Sequence, residues 1–209
     1  YVKMGGIEMI PSEIEIESIA DALPIVRKEI AATKKKKAVE RSSIDQRIDY
    51  RWIDLRTDEN QLMFKAQSCF VNAMRKFLLD RNFIEIHTPK LIAAASESGS
   101  EVFKVDYFDR NAYLAQSPQF YKQMAMAAGF ERIFETGPVF RAEKSYTNKH
   151  ATEFSGFDLE FSYITSFKDV MKMEEELLTA GLQAVKDSYG DQIKELFGQE
   201  VIVPTTPFP

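Results

Sequence analysis

Arg141, Glu143, Lys149 and His150 lie within ten residues of one another, and Phe154 and Asp158 follow closely. Arginine offers a planar fork of donors that matches a phosphate or carboxylate, and Lys149 and His150 add positive charge for outer phosphates. An aromatic face such as Phe154 suits a nucleobase. Asp158 alternates with Phe157 and Leu159. On a strand it therefore points away from both, and it can hold an ammonium group. Together these residues read as a site for an anionic, nucleotide-like ligand. Taken singly, each also fits a structural role, Arg141 as a strand-end surface residue and Asp158 as the partner of a lysine. No nucleophile–base pair or metal cluster competes with the set.

The elements that must position these residues are two strands with alternating apolar side chains. Ile133, Phe134, Val139 and Phe140 mark the first, and Phe154, Phe157, Leu159, Phe161 and Tyr163 the second. The connection AEKSYTNKHAT is too long and polar for a plain hairpin turn. Upstream, residues 57–81 predict a helix with Met63, Ala66, Phe70, Met74, Phe77 and Leu78 on its buried face. Asn82 ends it, and residues 83–87 alternate as a strand stopping at Thr88-Pro89, able to pack against a copy of itself. Residues 91–101 form a small, polar loop. A hairpin turning at Asp109-Arg110-Asn111 follows, and Ser117-Pro118 then opens a helix that carries Gln119 and Lys122 and ends at Gly129. After the second strand, Ser166 caps a long helix with Val170, Met173, Leu177, Ala180 and Ala184 on its apolar stripe, and Gly190 is expected to stop it.

The N-terminal part reads differently. Ile14, Ile16 and Ile19 alternate over Glu13–Ile19 as a short strand, which we read as the end of a β domain over residues 1–22. Residues 23–50, with Lys34–Lys37, read as a linker whose charge run is solvated, an RNA-backbone contact being the sharper alternative. Residues 51–209 form the main domain, and the whole is expected to be α+β. The 209 residues, 44% hydrophobic, suffice for a packed core, and a formal charge of −5 makes a generally basic nucleic-acid binder a poor fit. The single cysteine, Cys69, reads as a core residue in a reducing compartment. No apolar run reaches the roughly 18 residues of a membrane span, and no signal peptide is visible.

Several segments carry a more specific likeness. RWIDLR, FIEIHTPKL, SESGSEVF, AYLAQSPQFYKQ, FETGPVFRAE and TEFSGFDLEF occur in that order. Together they resemble an aspartyl-tRNA synthetase of the archaeal and eukaryotic cytosolic type, a class II synthetase. The resemblance implies a mainly antiparallel sheet flanked by helices and preceded by the end of an OB-type barrel. FIEIHTPKL resembles motif 1, whose proline, here Pro89, lies at a homodimer interface. VFRAE through DLEF resembles motif 2. By the same resemblance Glu97 closes on the amino acid's ammonium, Ser117 and Gln119 line its pocket, Lys122 meets the substrate carboxylate, and Asp158 is an acid of that pocket. Arg141 bridges the α-phosphate and the substrate carboxylate, Glu143 reads the adenine amino group, Phe154 stacks on adenine, and Lys149 and His150 stand near the outer phosphates. The implied ligands are ATP, Mg2+, L-aspartate and tRNA(Asp), in the cytoplasm and away from membranes.

The chain departs from the family pattern at Lys149-His150-Ala151, where Arg-His-Leu is usual, and at SESGS, where Ser-Glu-Gly-Gly is usual. The family's motif 3 and magnesium ligands are expected beyond Pro209, so this stretch alone is expected to be inactive. Two alternatives stay open: an asparaginyl-tRNA synthetase, which shares the scaffold but carries Glu where Asp158 stands, and a non-catalytic paralogue acting as a binding protein. A lysyl enzyme fits less well, because it carries Arg-Asn-Glu in place of Arg141-Ala142-Glu143.

Overall fold

The computed structural model describes residues 10–26, 40–94, 101–145, 147 and 149–208. The chain divides into two compact units, Tyr1–Gln61 and Leu62–Pro209.

In the first unit the alternation at Glu13–Ile19 forms no strand: residues 10–26 contain no regular element, and Ile14, Ile16 and Ile19 are exposed. A strand needs a ladder partner, and no described residue pairs with this segment. Helices α1 (Ile44–Asp49) and α2 (Arg51–Asp54) follow. The first begins inside the stretch read as linker. Its signal was present, since Ser43 accepts the Gln46 N–H and Ser-x-x-Gln is a capping pattern. The unit is organised on Asp54, which is fully buried. It accepts from Arg51 Nη1 at 2.7 Å, Arg41 Nη2 at 3.4 Å and Asn60 Nδ2 at 3.0 Å, with Arg47 Nη1 at 3.7 Å.

The second unit is built on a three-stranded sheet in the order β1 (Ile84–Glu85), β5 (Arg132–Phe140), β6 (Glu153–Phe161). Strand β1 runs parallel to β5, and β5 and β6 are antiparallel. Helices α3 (Asp58–Leu79) and α5 (Phe167–Phe197) supply the apolar side chains for one face. Met74, Leu78, Phe83, Phe134 and Leu177 form the buried cluster there, flanked by Phe157, Leu159 and Phe161. Alternation explains the division: Phe134, Phe157, Leu159 and Phe161 face the helices, so Glu135, Gly156, Asp158 and Glu160 face the other way. Beside the sheet lies α4 (Gln119–Ala127), and a second antiparallel sheet has the order β2 (Leu91–Ile92), β4 (Arg110–Leu114), β3 (Lys104–Tyr107). The architecture is the expected α+β class with mixed sheets.

Three local expectations are corrected. Gly190 does not stop α5, which runs 31 residues to Gly198, where φ is +66°. A glycine inside a helix costs only about 1 kcal/mol, whereas Gly198 adopts the left-handed conformation that ends helices. The β3–β4 turn falls at Phe108-Asp109, with Phe108 at φ +55°, so Arg110 and Asn111 belong to β4. The buried stripes are rotated slightly: Leu62 is buried and Met63 exposed on α3, while Leu177, Gly181 and Val185 are the buried residues of α5 and Val170 is exposed. Among the described residues no helix is long and apolar enough to cross a membrane.

Candidate active site

The register of β5 and β6 arranges the predicted residues in a row on the face away from the helices. Pairs along it are Ile133 with Glu160, Glu135 with Asp158, Gly137 with Gly156, and Val139 with Phe154. Beyond Phe140 the ladder is extended by the Arg141 N–H donating to the Thr152 carbonyl at 2.9 Å. Arg141 thus falls on the same face by parity.

One end of the row is cationic and aromatic. The Arg141 guanidinium carbon lies 5.5 Å from the Phe154 ring centroid. Arg141 Nε is buried and has no hydrogen-bond partner among the described residues. Phe154 keeps 39% of its surface exposed, leaving ring area for a second flat group. In the β5–β6 connection the backbone turns on Thr147: its Oγ1 lies 2.6 Å from His150 Nδ1 and accepts the Lys149 N–H at 3.3 Å. Glu143, Lys149 and His150 are exposed.

The other end is a charge cluster around Lys122, which α4 delivers to the sheet and which is only 3% exposed. Its Nζ donates to Asp158 Oδ1 at 3.0 Å and to the Leu159 carbonyl at 3.3 Å, and lies 3.3 Å from Glu160 Oε2. These three oxygens match the three donors of an ammonium group. Two carboxylates face this buried lysine, the compensation a buried cation needs. Ser117 Oγ accepts the Gln119 N–H at 3.3 Å at the head of α4. Ser117 also lines a cavity of about 210 Å³ with Ile92, Phe120, Tyr121 and Met124. A larger cavity, about 510 Å³, lies between α5 and Thr206–Phe208 and contains none of the predicted site residues.

Between the two ends the sheet is bare. Gly137 and Gly156 sit opposite each other. A Cβ at Gly156 would stand 3.1 Å from Asp158 Oδ2, close enough that the carboxylate would have to shift, whereas one at Gly137 would meet its neighbours at 3.6 Å or more. The row from Phe154 to Asp158 covers about 14 Å at ~3.4 Å per residue.

Four further residues belong here that sequence reasoning missed. Glu160 follows from parity with Asp158. Glu135, 3% exposed, accepts from the Thr88 N–H at 2.9 Å, Thr88 Oγ1 at 2.7 Å and Lys90 Nζ at 2.9 Å. Burial by itself would push its carboxyl up, but the Thr88 and Lys90 donors outweigh burial and hold it below the usual glutamate range. An acid inside an apolar strand was the available signal. Pro89 is exposed between Thr88 and Lys90. Glu97 lies outside the described residues, as do Lys34–Lys37. Among the described residues no three His, Cys, Asp or Glu side chains gather as a metal site.

Residues 43–208 match the family model of class II tRNA synthetases (D, K and N). The chain belongs to this family. It is similar to an aspartate–tRNA(Asp/Asn) ligase of Methanopyrus kandleri, 46% identical over 205 residues, which cover 98% of the chain and 45% of that protein. It is 44% identical over 162 residues to the cytoplasmic aspartate–tRNA ligase 1 of Dictyostelium discoideum, covering 78% and 28%. Among solved structures it resembles asparaginyl-tRNA synthetase from Pyrococcus horikoshii complexed with asparaginyl-adenylate. There the TM-score is 0.69 and the identity 36%, covering 74% of this chain and 35% of that one. The chain thus spans less than half the length of these class II relatives.

Proposed function

We propose that this chain is the motif 1 and motif 2 part of an aspartate–tRNA ligase, which condenses L-aspartate with ATP and passes the aspartyl group to the 3′ end of tRNA(Asp). The carrying observation is Lys122: a buried cation on the pocket floor, held by Asp158 and Glu160. Its ammonium donates to Asp158 and the Leu159 carbonyl and pairs with Glu160, so substrate enters by exchange. The side-chain carboxylate of aspartate takes one of the Lys122 donors, and the released Asp158, 35% exposed, turns to the substrate ammonium. Ser117 and Gln119 line the same pocket, and Glu97 closes on the ammonium. Neutral asparagine would leave the lysine less well compensated, a costly outcome in a dry site.

The row of residues then sets the order of the reactants. Adenine stacks on Phe154 with Glu143 reading its amino group, the α-phosphate meets Arg141, and Lys149 and His150 face the outer phosphates. The α-carboxylate of aspartate lies over the glycine floor and attacks the α-phosphorus in line. The bond to the bridging oxygen breaks and pyrophosphate leaves. The acyl-adenylate then gives its acyl group to a terminal ribose hydroxyl of the tRNA, releasing AMP. No protein nucleophile is needed, so catalysis is positioning and charge neutralisation by Arg141. Magnesium would neutralise phosphate charge. The described residues offer no cluster of three His, Cys, Asp or Glu side chains for it.

Homodimer formation through the Pro89 segment belongs to the same reading. It is supported by β1 being a sheet edge and by Ile84, 51% exposed, with Pro89 also exposed. The likeness to the Dictyostelium enzyme supports a cytoplasmic setting. The test is aminoacylation by the full-length protein: aspartate should be esterified to tRNA(Asp) with ATP consumed, and absence of charging with a competent tRNA would overturn the reading.

A further inference from the structure

The sheet face under the amino-acid end carries more acid than the proposed chemistry uses. Glu135 and Asp158 are directly opposite in the β5–β6 register. Side chains so placed have Cβ atoms about 4.5–5.5 Å apart, and like charges there are unfavourable. Glu160 adds a third carboxylate on this face, two residues from Asp158. Among the described residues, Lys122 and Lys90 are the cations that pair with these three acids. Each lysine serves a different strand: Lys122 serves Asp158 and Glu160 on β6, and Lys90 serves Glu135 on β5.

We infer that Lys90 is a positioning residue for amino-acid binding: by neutralising Glu135 it keeps that carboxylate from competing with Asp158 for Lys122. The inference rests on the aspartate reading of the Lys122 pocket. Its geometry is direct. Lys90 Nζ sits 2.9 Å from Glu135 Oε1 and 3.1 Å from Thr88 Oγ1, and a Cβ placed on Gly137 would stand 3.8 Å from that Nζ. Lys90 therefore ends beside the bare glycine floor, next to Glu135 and one residue pair from Asp158. Without Lys90, a buried Glu135 carboxylate has lost its cation, and Lys122 is the lysine held by the acid directly opposite it, Asp158. If instead Glu135 is neutralised and Lys90 stays, the freed ammonium draws on Asp158. Either change disturbs the ion pair that substrate must open. Neutralising both leaves the Lys122–Asp158–Glu160 cluster as it was.

A charge-balance role and a plain anchoring role separate in a double-mutant cycle. If the Glu135 cluster only ties the Thr88 segment to the sheet, the single variants lower stability and leave the KM for aspartate unchanged, so the cycle is read in KM rather than in stability. The experiment is aspartate-dependent ATP–pyrophosphate exchange by the full-length protein, comparing wild type, Lys90→Met, Glu135→Gln and the double variant. The expected result is a rise in KM for aspartate of about tenfold for Lys90→Met, with kcat changed far less. Glu135→Gln should give a smaller rise, because the amide still accepts from Thr88, and the double variant should fall below Lys90→Met. Lys90→Arg keeps the charge and should stay within about threefold of wild type. Should Lys90→Met be insoluble, Lys90→Arg and the double variant carry the test, both with KM well under a tenfold rise. A double variant as impaired as Lys90→Met or worse, or a Lys90→Met enzyme with wild-type KM, overturns the inference while leaving the aspartate reading intact. A wild-type protein with no aspartate-dependent exchange overturns that reading, and the inference with it.

Discussion

Arg141 holds a buried Nε donor with no partner among the described residues, next to a ring that keeps ample exposed surface. An unused buried donor is unfavourable unless a ligand completes it. In the proposed reaction that ligand is the α-phosphate, at which the displacement takes place while the developing charge leaves with pyrophosphate. Replacing Arg141 by alanine in the full-length protein should lower kcat for pyrophosphate exchange by roughly 10²–10³, with the oligomeric state by light scattering unchanged. Near-normal exchange would remove Arg141 from this role. The residue types at this end were legible in the sequence, because charge and aromaticity at strand ends are visible in one dimension. The three-oxygen cage on Lys122 was not. Sequence placed Lys122 on a helix and Asp158 on a strand, and only the packing of α4 on the sheet makes them partners. Lys90 and Glu135 were hidden for the same reason: they are 45 residues apart and meet through a strand register.

Among elements, the β5–β6 ladder gives the site its order, and α3 and α5 give the ladder a rigid backing. Gly181 of α5 packs directly against α3: a Cβ there would stand 2.6 Å from Phe70 Cε2 and 3.0 Å from Met74 Cγ. Alanine would gain about 1 kcal/mol of helix propensity, but overpacking a filled core costs about 1–3 kcal/mol. Gly181→Ala should therefore lower stability in urea unfolding despite the better propensity, and an increase in the denaturation midpoint would contradict this packing. Apolar alternation announced both strands and the long helices, since each period reports a half-buried face. It failed at Glu13–Ile19, where no described residue pairs with the segment, and at Gly190, where the packing of a 31-residue helix outweighs one weak residue. Helix α1 went unread because it is six residues long and its two apolar residues, Ile44 and Ile48, stay exposed; its signal lay in the Ser43 cap.

At the scale of the whole molecule, charge is handled by pairing acids with cations inside each unit, Asp54 with arginines in one and Glu135 with Lys90 in the other. The Glu135 carboxyl is held below its ordinary value, burial opposing and the Thr88 and Lys90 donors prevailing. A depressed carboxylate contributes stability that is present above its unfolded pKa, about 4.3, and is lost as pH falls through the folded value. Thermal unfolding should thus show this contribution intact from neutral pH down to about 5 and fading below about 4.3. Glu135→Gln should flatten that acid limb, and an unchanged limb would show that the carboxylate is not so held. The central claim concerns which amino acid the pocket activates, and pyrophosphate exchange by the full-length protein with single amino acids tests it most directly. Strong exchange with aspartate and little with asparagine is the predicted result; equal or reversed rates would contradict it.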